Sequence, residues 1–539
     1  MRKRVGRAVA VCAFCSLLLA GSIVGTKQNM EIKAEGGMQE GWRLHADEPV
    51  TLDWYINYSW YATPWGGNLV SDTITEETGV SVNFIVPSGN ESEKMSALIA
   101  SDSLPDVITV GWWETTVNEL IEKDMVYALN ELGDEYDAYF YQVTDPDTVE
   151  WFTRDDGNIY CYPNSSFTPK DLEEHDNISA NQNFLVRKDI YEAIGSPDMT
   201  TQEGFYEAVK KAVQMFPEID GKPLIPIGSH TFNNEGCTSF DDYLMNFLAV
   251  PYEKDGEYYD RYTDPEYLSW LKFFRQLGEE GYLLKDIFID QRTQMEEKLG
   301  EGRYFCMFYQ NTDIAAQQKV LYANNPDSIY IAIDGPKNSK GDDYKIPCSG
   351  VNGWTVTLIS KNCEHPDRAI QFMDYLMSEH GQMLTYLGVE GVTYDMVDGK
   401  PVIRPEVERL LNTNREEYDR IYGADDAYWM LQDNVMQLQW YQEPAEPLAQ
   451  LQQWTYPYVI YNGQYDSLLS TNSRYVNADA QITELWSKTL PSLLLAESDE
   501  QFDAILAEFV EERKRLGYVD LQKENTRLME IAKEKLGIK

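Results

Sequence analysis

From Val50 onward the chain alternates short apolar, β-branched runs with amphipathic helical stretches, and this alternation constrains the fold more than any other feature. Strands separated by crossover helices pair in parallel, with helices covering the sheet, so an α/β architecture is expected. TLDWYINY (51–58) reads as a first strand and VNFIVPS (82–88) as a second. Ser92 to Ser101 reads as a helix, Pro105 to Val110 as a buried strand, and Val117 to Leu132 carries helical spacing. After the Gly157-Asn158 turn, IYCYP (159–163) is expected to cross into a second unit. That unit would run through NFLVRKDIYEAIG (183–195), a helix from near Thr200, the strand PLIPIG (223–228), a hairpin turn at Asp255-Gly256, a helix over 265–280 and the strand RYFCMFY (303–309). At Gly353, WTVTLIS (354–360) reads as a strand that returns the chain to the first unit.

A length of 539 residues exceeds what one core organises, so two or three domains are expected. The formal charge is −44, and the first 34 residues hold six basic residues against one acid, so the remainder is more acidic still. Such a field repels nucleic acid and anionic membrane surfaces and favours a neutral or cationic ligand. The basic MRKRVGR followed by AVAVCAFCSLLLAGSIVG reads as an export signal. LLLAGS is lipobox-like, with Ser22 where the acylated cysteine would stand, and a hydroxyl cannot replace that thiol. Release by cleavage after Ala34 and retention as an uncleaved anchor both stay open. Five cysteines beyond the signal (Cys161, Cys237, Cys306, Cys348, Cys363), an odd number with no CxxC pair, point to buried apolar thiols rather than a disulfide framework.

Catalytic patterns are not found: there is no HExxH, GxSxG, phosphate loop or GxGxxG, and the five histidines have no metal-ligand spacing. No catalytic residue, cofactor or metal is expected. Asp145 with Asp147 lacks the full D-x-[DN]-x-[DN]-G loop of a calcium site.

Residues 361–400, KNCEHPDRAIQFMDYLMSEHGQMLTYLGVEGVTYDMVDGK, read as a helix starting at Pro366, a second helix stopped at Gly388, and a hairpin turning at Asp398-Gly399. This segment resembles the extracellular solute-binding proteins of bacterial carbohydrate ABC transporters, especially the large LipO-type lipoproteins. LIASDSLPDVITVGW (98–112), DDGNIYCYPN (155–164), NQNFLVRKDIYEAIG (181–195), DPEYLSWLKFFRQLGEEGYL (264–283) and EGRYFCMFYQ (301–310) follow in the family's order. The resemblance implies a two-lobed, type II periplasmic-binding-protein-like fold with discontinuous lobes, a hinge and a cleft. Residues 46–160 and 349–395 would form the first lobe. Residues 161–348 and 396–539 would form the second, including an aromatic-rich helical C-terminal region.

It also implies an exported receptor at the outer face of the cytoplasmic membrane that takes a neutral oligosaccharide and passes it to ABC permease subunits, with a monomer expected. A secreted glycan-active enzyme, a receptor for a peptide or another solute, and a ligand-sensing partner of a surface kinase are the rival readings. Sugar rings offer apolar C–H faces and a rim of hydroxyls, so a site pairs flat aromatic rings with polar side chains at strand ends. The candidates are Asn57, Tyr58, Trp60 and Trp65 after the first strand, and Trp112, Trp113 and Glu114 after DVITVG. Asn183, Tyr309 and Gln310 are candidates in the second lobe, Trp354 at the returning strand, and Glu390 and Tyr394 near the hinge.

Overall fold

The computed structural model describes residues 40–466 and 473–538; the export-signal reading falls outside them. Two sheets organise the chain. The first contains β1 (Val50–Ile56), β2 (Val80–Ile85), β3 (Val107–Gly111), β4 (Tyr162–Pro163) and β9 (Thr355–Ile359), in the order β2-β1-β3-β9-β4. The second contains β5 (Gln182–Arg187), β6 (Ile225–Gly228), β7 (Tyr304–Gln310) and β8 (Tyr330–Ala332), in the order β8-β5-β7-β6.

Strands joined by helices are parallel as expected: β1 with β2 and β3, and β7 with β6. The strands that follow a passage between lobes are not. β9 runs antiparallel to β3, and β5 antiparallel to β7. A chain arriving from the other lobe enters its sheet at the edge facing that lobe, so its first strand runs opposite to those that end there.

Alternation along each strand sends side chains into two cores, one per sheet face. Leu52, Trp54 and Ile56 join one core of the first lobe, and Tyr55, Ile108, Val110, Val356 and Leu358 the other. In the second lobe Phe184, Val186, Cys306 and Phe308 face one way, and Leu185, Met307 and Tyr309 the other.

Local signals hold along residues 361–400. Pro366 opens the helix Pro366–Met377 at its first position, and Ser378 caps Glu379–Leu387 by accepting from the Gly381 amide at 3.0 Å. Gly388 stops that helix at φ 84°. Asp398 and Gly399, at φ 52° and 78°, form the primed turn between the strands Tyr394–Val397 and Lys400–Ile403. The helical pattern over 117–132 resolves into two helices, Thr115–Glu122 and Leu129–Glu135, separated where Asp124 adopts a left-handed φ of 58°.

Two boundaries move. IYCYP does not leave the first lobe, because β4 pairs with β9, and the crossing follows it. The region after 396, expected with the second lobe, begins in the first: Val407, Tyr418, Tyr428, Trp429, Met430 and Leu431 bury in the first lobe's core. Trp440 still packs with Leu387 and Tyr394, and the return to the second lobe shows at Leu451. The crossings meet in a small apolar cluster of Phe167, Ile178 and Cys348 flanked by Val435, Leu438 and Val459. The C-terminal helices Ser473–Leu494, Asp499–Arg515 and Tyr518–Lys535 follow; Trp486, Leu490, Phe502 and Phe509 tie the first two into the second lobe's core. Ala532 of the last helix reaches Trp151 and Val351 beside the first lobe. Among the described residues no helix is long and apolar enough to cross a membrane.

Candidate functional site

β1 and β3 end at the same edge of the first sheet, and antiparallel β9 begins there, with Thr355 paired to Gly111. The residues after Ile56, after Gly111 and before Thr355 are therefore neighbours. Residues 429–430 join them: the Asn164 side-chain amide donates to the Trp429 carbonyl at 3.0 Å, and the Thr357 hydroxyl to the Met430 carbonyl at 3.4 Å. Three of these stretches thus deliver Tyr58, Trp60, Trp354 and Trp429 to one place. Trp354 and Trp429 lie 4.5 Å apart between ring centroids, Trp60 and Trp429 5.8 Å, and Tyr58 and Trp354 5.3 Å. Trp60 is 51% exposed and Trp429 only 9%, so the array is a surface platform backed by core.

Beside it a polar relay holds one carboxylate. The Glu114 Oε1 accepts from the Gly111 amide and its Oε2 from the Asn57 side-chain amide, both at 2.8 Å; the Asn57 Oδ1 in turn accepts from the Tyr55 hydroxyl at 2.8 Å. Burial pushes the Glu114 carboxyl above the usual carboxylate range, the two donors oppose this, and Glu235 adds to the rise. Glu235 belongs to the second lobe, in the loop after β6, and it also raises the buried Tyr58 hydroxyl. Because β9 enters the sheet at this edge straight after the passage from the other lobe, the platform lies on the side where the lobes meet. Trp113 is 41% exposed and covers Gly111, where a Cβ would come within 2.8 Å of its ring. Trp112 meets it edge-on at 6.0 Å and packs against the core around Ile108 and Leu120.

On the second lobe, the antiparallel register places Gln182, at the start of β5, opposite Gln310, at the end of β7. The Tyr243 hydroxyl donates to the Gln310 Oε1 at 2.8 Å, and the Gln182 side-chain amide to Asp242 at 2.9 Å. Burial pushes Asp242 up, with Arg261 and two amides opposing. The guanidinium of Arg261 lies 3.9 Å over the Tyr252 ring.

Asn183 and Tyr309, one residue further in, point into the lobe and are fully buried. The Asn183 amide donates to the Leu451 carbonyl at 3.0 Å, and Tyr309 packs with Leu185, Met307 and Ile314. The expectation that they face the cleft is corrected by strand alternation. Trp65 also turns inward, donating to the Thr75 hydroxyl at 2.9 Å and packing 4.9 Å from Tyr428. Glu390 is exposed, while Tyr394 is buried with Leu387 and Trp440 in a cluster separate from the tryptophan platform. Arg187, in the same strand as Asn183, is buried and paired with Asp189.

Trp429, which joins the tryptophan array, was not legible in the sequence as one of its members. Trp429 carried one signal, its place in an aromatic-rich stretch, but nothing local tied that stretch to β9. Among the described residues no group of three or more His, Cys, Asp or Glu is arranged to hold a metal. Asp145 instead caps the helix Pro146–Phe152, accepting from the Thr148 amide at 2.8 Å. His230 sits 4.5 Å from the Tyr309 ring, and burial lowers it to about 4, which keeps it neutral near pH 7. The five cysteines are buried and unpaired. The arrangement can stack flat apolar faces and accept hydrogen bonds; it is equipped to grip.

A family model for bacterial extracellular solute-binding proteins matches residues 70–406. The polygalacturonan/rhamnogalacturonan-binding protein YtcQ of Bacillus subtilis is 21% identical over 427 residues, 76% of this chain and 79% of that protein. Lipoprotein LipO of the same organism is 24% identical over 231 residues, 40% of this chain and 44% of that protein. Among solved structures, the substrate-binding protein FusA of S. pneumoniae in complex with kestose superposes with a TM-score of 0.70 at 14% identity, covering 90% of this chain and 100% of that one. Alginate-binding protein AlgQ2 without calcium gives 0.67 at 20% identity, covering 90% and 98%. These likenesses establish the two-lobed type II fold.

Proposed function

This chain belongs to the bacterial extracellular solute-binding protein family, and from that premise we propose that it is the receptor of an ABC importer, closing two lobes on a carbohydrate and presenting it to membrane permease subunits. The observation that carries the reading is the half-exposed Trp60 stacked with Trp354 and Trp429 at a strand-end edge, beside a carboxylate held by neutral donors. Aromatic faces cover sugar C–H surfaces with little loss of side-chain freedom, and a carboxylate with free lone pairs accepts hydroxyl donors.

The ligand is a neutral oligosaccharide, held by Asn57, Tyr58, Trp60, Trp113, Glu114, Trp354 and Trp429 on the first lobe and by Gln182 and Gln310 on the second. The relative that binds polygalacturonan and the kestose complex of FusA support a glycan of several units. Closure is a hinge motion through the three chain crossings, and contacts from both lobes favour the shut state. The protein acts as a monomer, performs no catalysis, and works at the outer face of the membrane; Ser22 in place of the lipobox cysteine leaves cleavage or an uncleaved signal as its means of release or attachment.

Calorimetry against mono-, di- and oligosaccharides tests the reading. Heat of binding with an oligosaccharide is expected; silence across all sugars together with binding of a peptide would overturn it.

A further inference from the structure

Resting on the carbohydrate reading, we propose that His230 and Gln310, both held by Tyr243 at the edge of the second lobe, form an acceptor and donor pair that reads a glycan hydroxyl. The second lobe would then select its sugar by hydrogen bonding, while the first stacks on it. β5 enters its sheet straight after the passage from the first lobe, so its start lies where the lobes meet. The antiparallel register puts Gln310 at that edge. The parallel register of β6 with β7 pairs Gly228 with Met307, so the end of β6 and the loop after it come to the same edge. His230 stands two residues beyond that end, where ligands of open α/β sheets are held.

The main chain of His230 is pinned on both sides. Its amide donates to the Ser239 hydroxyl at 2.7 Å, and that hydroxyl donates to the Phe308 carbonyl of β7 at 2.8 Å. Its carbonyl accepts from the Ser229 hydroxyl at 2.8 Å and from the Cys237 thiol at 3.2 Å. The ring is placed as firmly, 4.5 Å from the Tyr309 ring and edge-on to Tyr243 at 5.4 Å. Yet among the described residues the imidazole takes part in no hydrogen bond or ion pair, and its Nε2 is buried without a partner. Polar groups at this depth are ordinarily paired, so an imidazole fixed in place and left unpaired has hydrogen-bonding capacity free for a ligand. Gln310 complements it. Its Oε1 accepts from the Tyr243 hydroxyl at 2.8 Å, which orients the amide and leaves its nitrogen to donate. The neutral imidazole keeps one free lone pair, and a sugar hydroxyl both donates and accepts, so one hydroxyl can serve His230 and Gln310 together.

The test uses the full chain with kestose, galactotriose and maltotriose, and then the monodeoxy derivatives of whichever binds tightest, with Kd measured by calorimetry. His230→Phe keeps a ring against Tyr309 and Tyr243 but removes both nitrogens. It is expected to weaken binding of that trisaccharide about 10-fold, the scale of one lost hydrogen bond. At least one monodeoxy derivative is expected to bind the unmodified protein about 10-fold more weakly than the parent sugar. That penalty should vanish in His230→Phe, because the missing hydroxyl and the missing imidazole are two halves of one contact. Gln310→Met removes the donor alone and is expected to shrink the same penalty; it carries the test should His230→Phe lower the melting temperature. Unchanged affinity in His230→Phe, or a deoxy penalty that persists in Gln310→Met, overturns the pair while the carbohydrate reading stands. No binding of any of the three trisaccharides also overturns it, and binding of a peptide instead removes the carbohydrate reading as well.

Discussion

The indoles of Trp60 and Trp354 lie parallel, their planes 9° apart and their centroids separated by 6.0 Å, although the two residues come from different segments of the first lobe, with the second lobe's sequence between them. Trp60 follows a strand that ends at the cleft edge, and Trp354 precedes one that begins there. An exposed tryptophan held against others by a rigid sheet edge is pre-organised for a flat ligand face.

Trp60→Ala and Trp354→Ala are each expected to weaken glycan binding by about 2 kcal/mol, roughly 30-fold in Kd, the scale of an anchoring aromatic residue. Trp60→Ala should leave the melting temperature nearly unchanged, because its ring is half exposed. Trp112→Ala should behave the opposite way, lowering the melting temperature by opening the core beside Ile108 and Leu120. Calorimetry and thermal melts on the three variants separate platform from core.

Asn57 connects the Tyr55 hydroxyl to Glu114 and is only 4% exposed. Asn57→Leu leaves a buried hydroxyl without its acceptor and one carboxylate oxygen without its donor, at a cost of about 1–3 kcal/mol in stability. A loss of ligand affinity should accompany it, because Glu114 is no longer oriented. An unfolding titration with unchanged stability would count against the relay.

Asp374 is wholly buried and faces Asp137, whose Oδ2 accepts from the Gly41 amide at 3.1 Å. Burial first, and then Asp137, push the Asp374 carboxyl well above the usual carboxylate range. A folded value above the unfolded one means that its stabilising contribution is complete below the unfolded value, about 3.9, and is lost as pH rises through the raised folded value. Burial also lifts Asp241, Asp426 and Asp466 to about 7. The melting temperature should therefore fall between mildly acidic and mildly alkaline pH. Asp374→Asn, which needs no proton, should flatten part of that fall; a profile identical to the parent's would reject the assignment.

Gly353 marks the return of the chain to the first lobe, with φ 65° and a would-be Cβ 1.8 Å from the Asn164 carbonyl. Gly353→Ala should destabilise strongly, by more than the roughly 1–3 kcal/mol of backbone strain alone, since the contact must also be relieved. Gly157→Ala has similar strain at φ 84° but open space around it, and should cost about 1 kcal/mol. Chemical unfolding of both separates conformation from crowding.

Much was legible in short windows of chain. Proline at a helix start, serine as a cap, and Asp398-Gly399 in a primed turn act within a few residues, so residues 361–400 folded as read. Strand ends were also legible, and they brought Tyr58, Trp60 and Trp354 into the aromatic array and Asn57, Trp113 and Glu114 beside it. In the second lobe Gln310 lies at its strand end as expected, opposite Gln182, whereas Asn183 and Tyr309 turn into the lobe, because a shift of one residue reverses the face and only the pairing register with neighbouring strands sets the phase.

The sequence by itself determined the alternating α/β plan, the receptor family and the residue types a sugar site would use, because those follow from local periodicity, turn chemistry and ordered motifs. Only the tertiary structure decided that Trp429 returns to β9 and that the first lobe keeps the chain through its tryptophan platform. Those neighbours are set by side chains buried together across hundreds of residues, and burial against a distant partner leaves no mark in the local pattern of the chain.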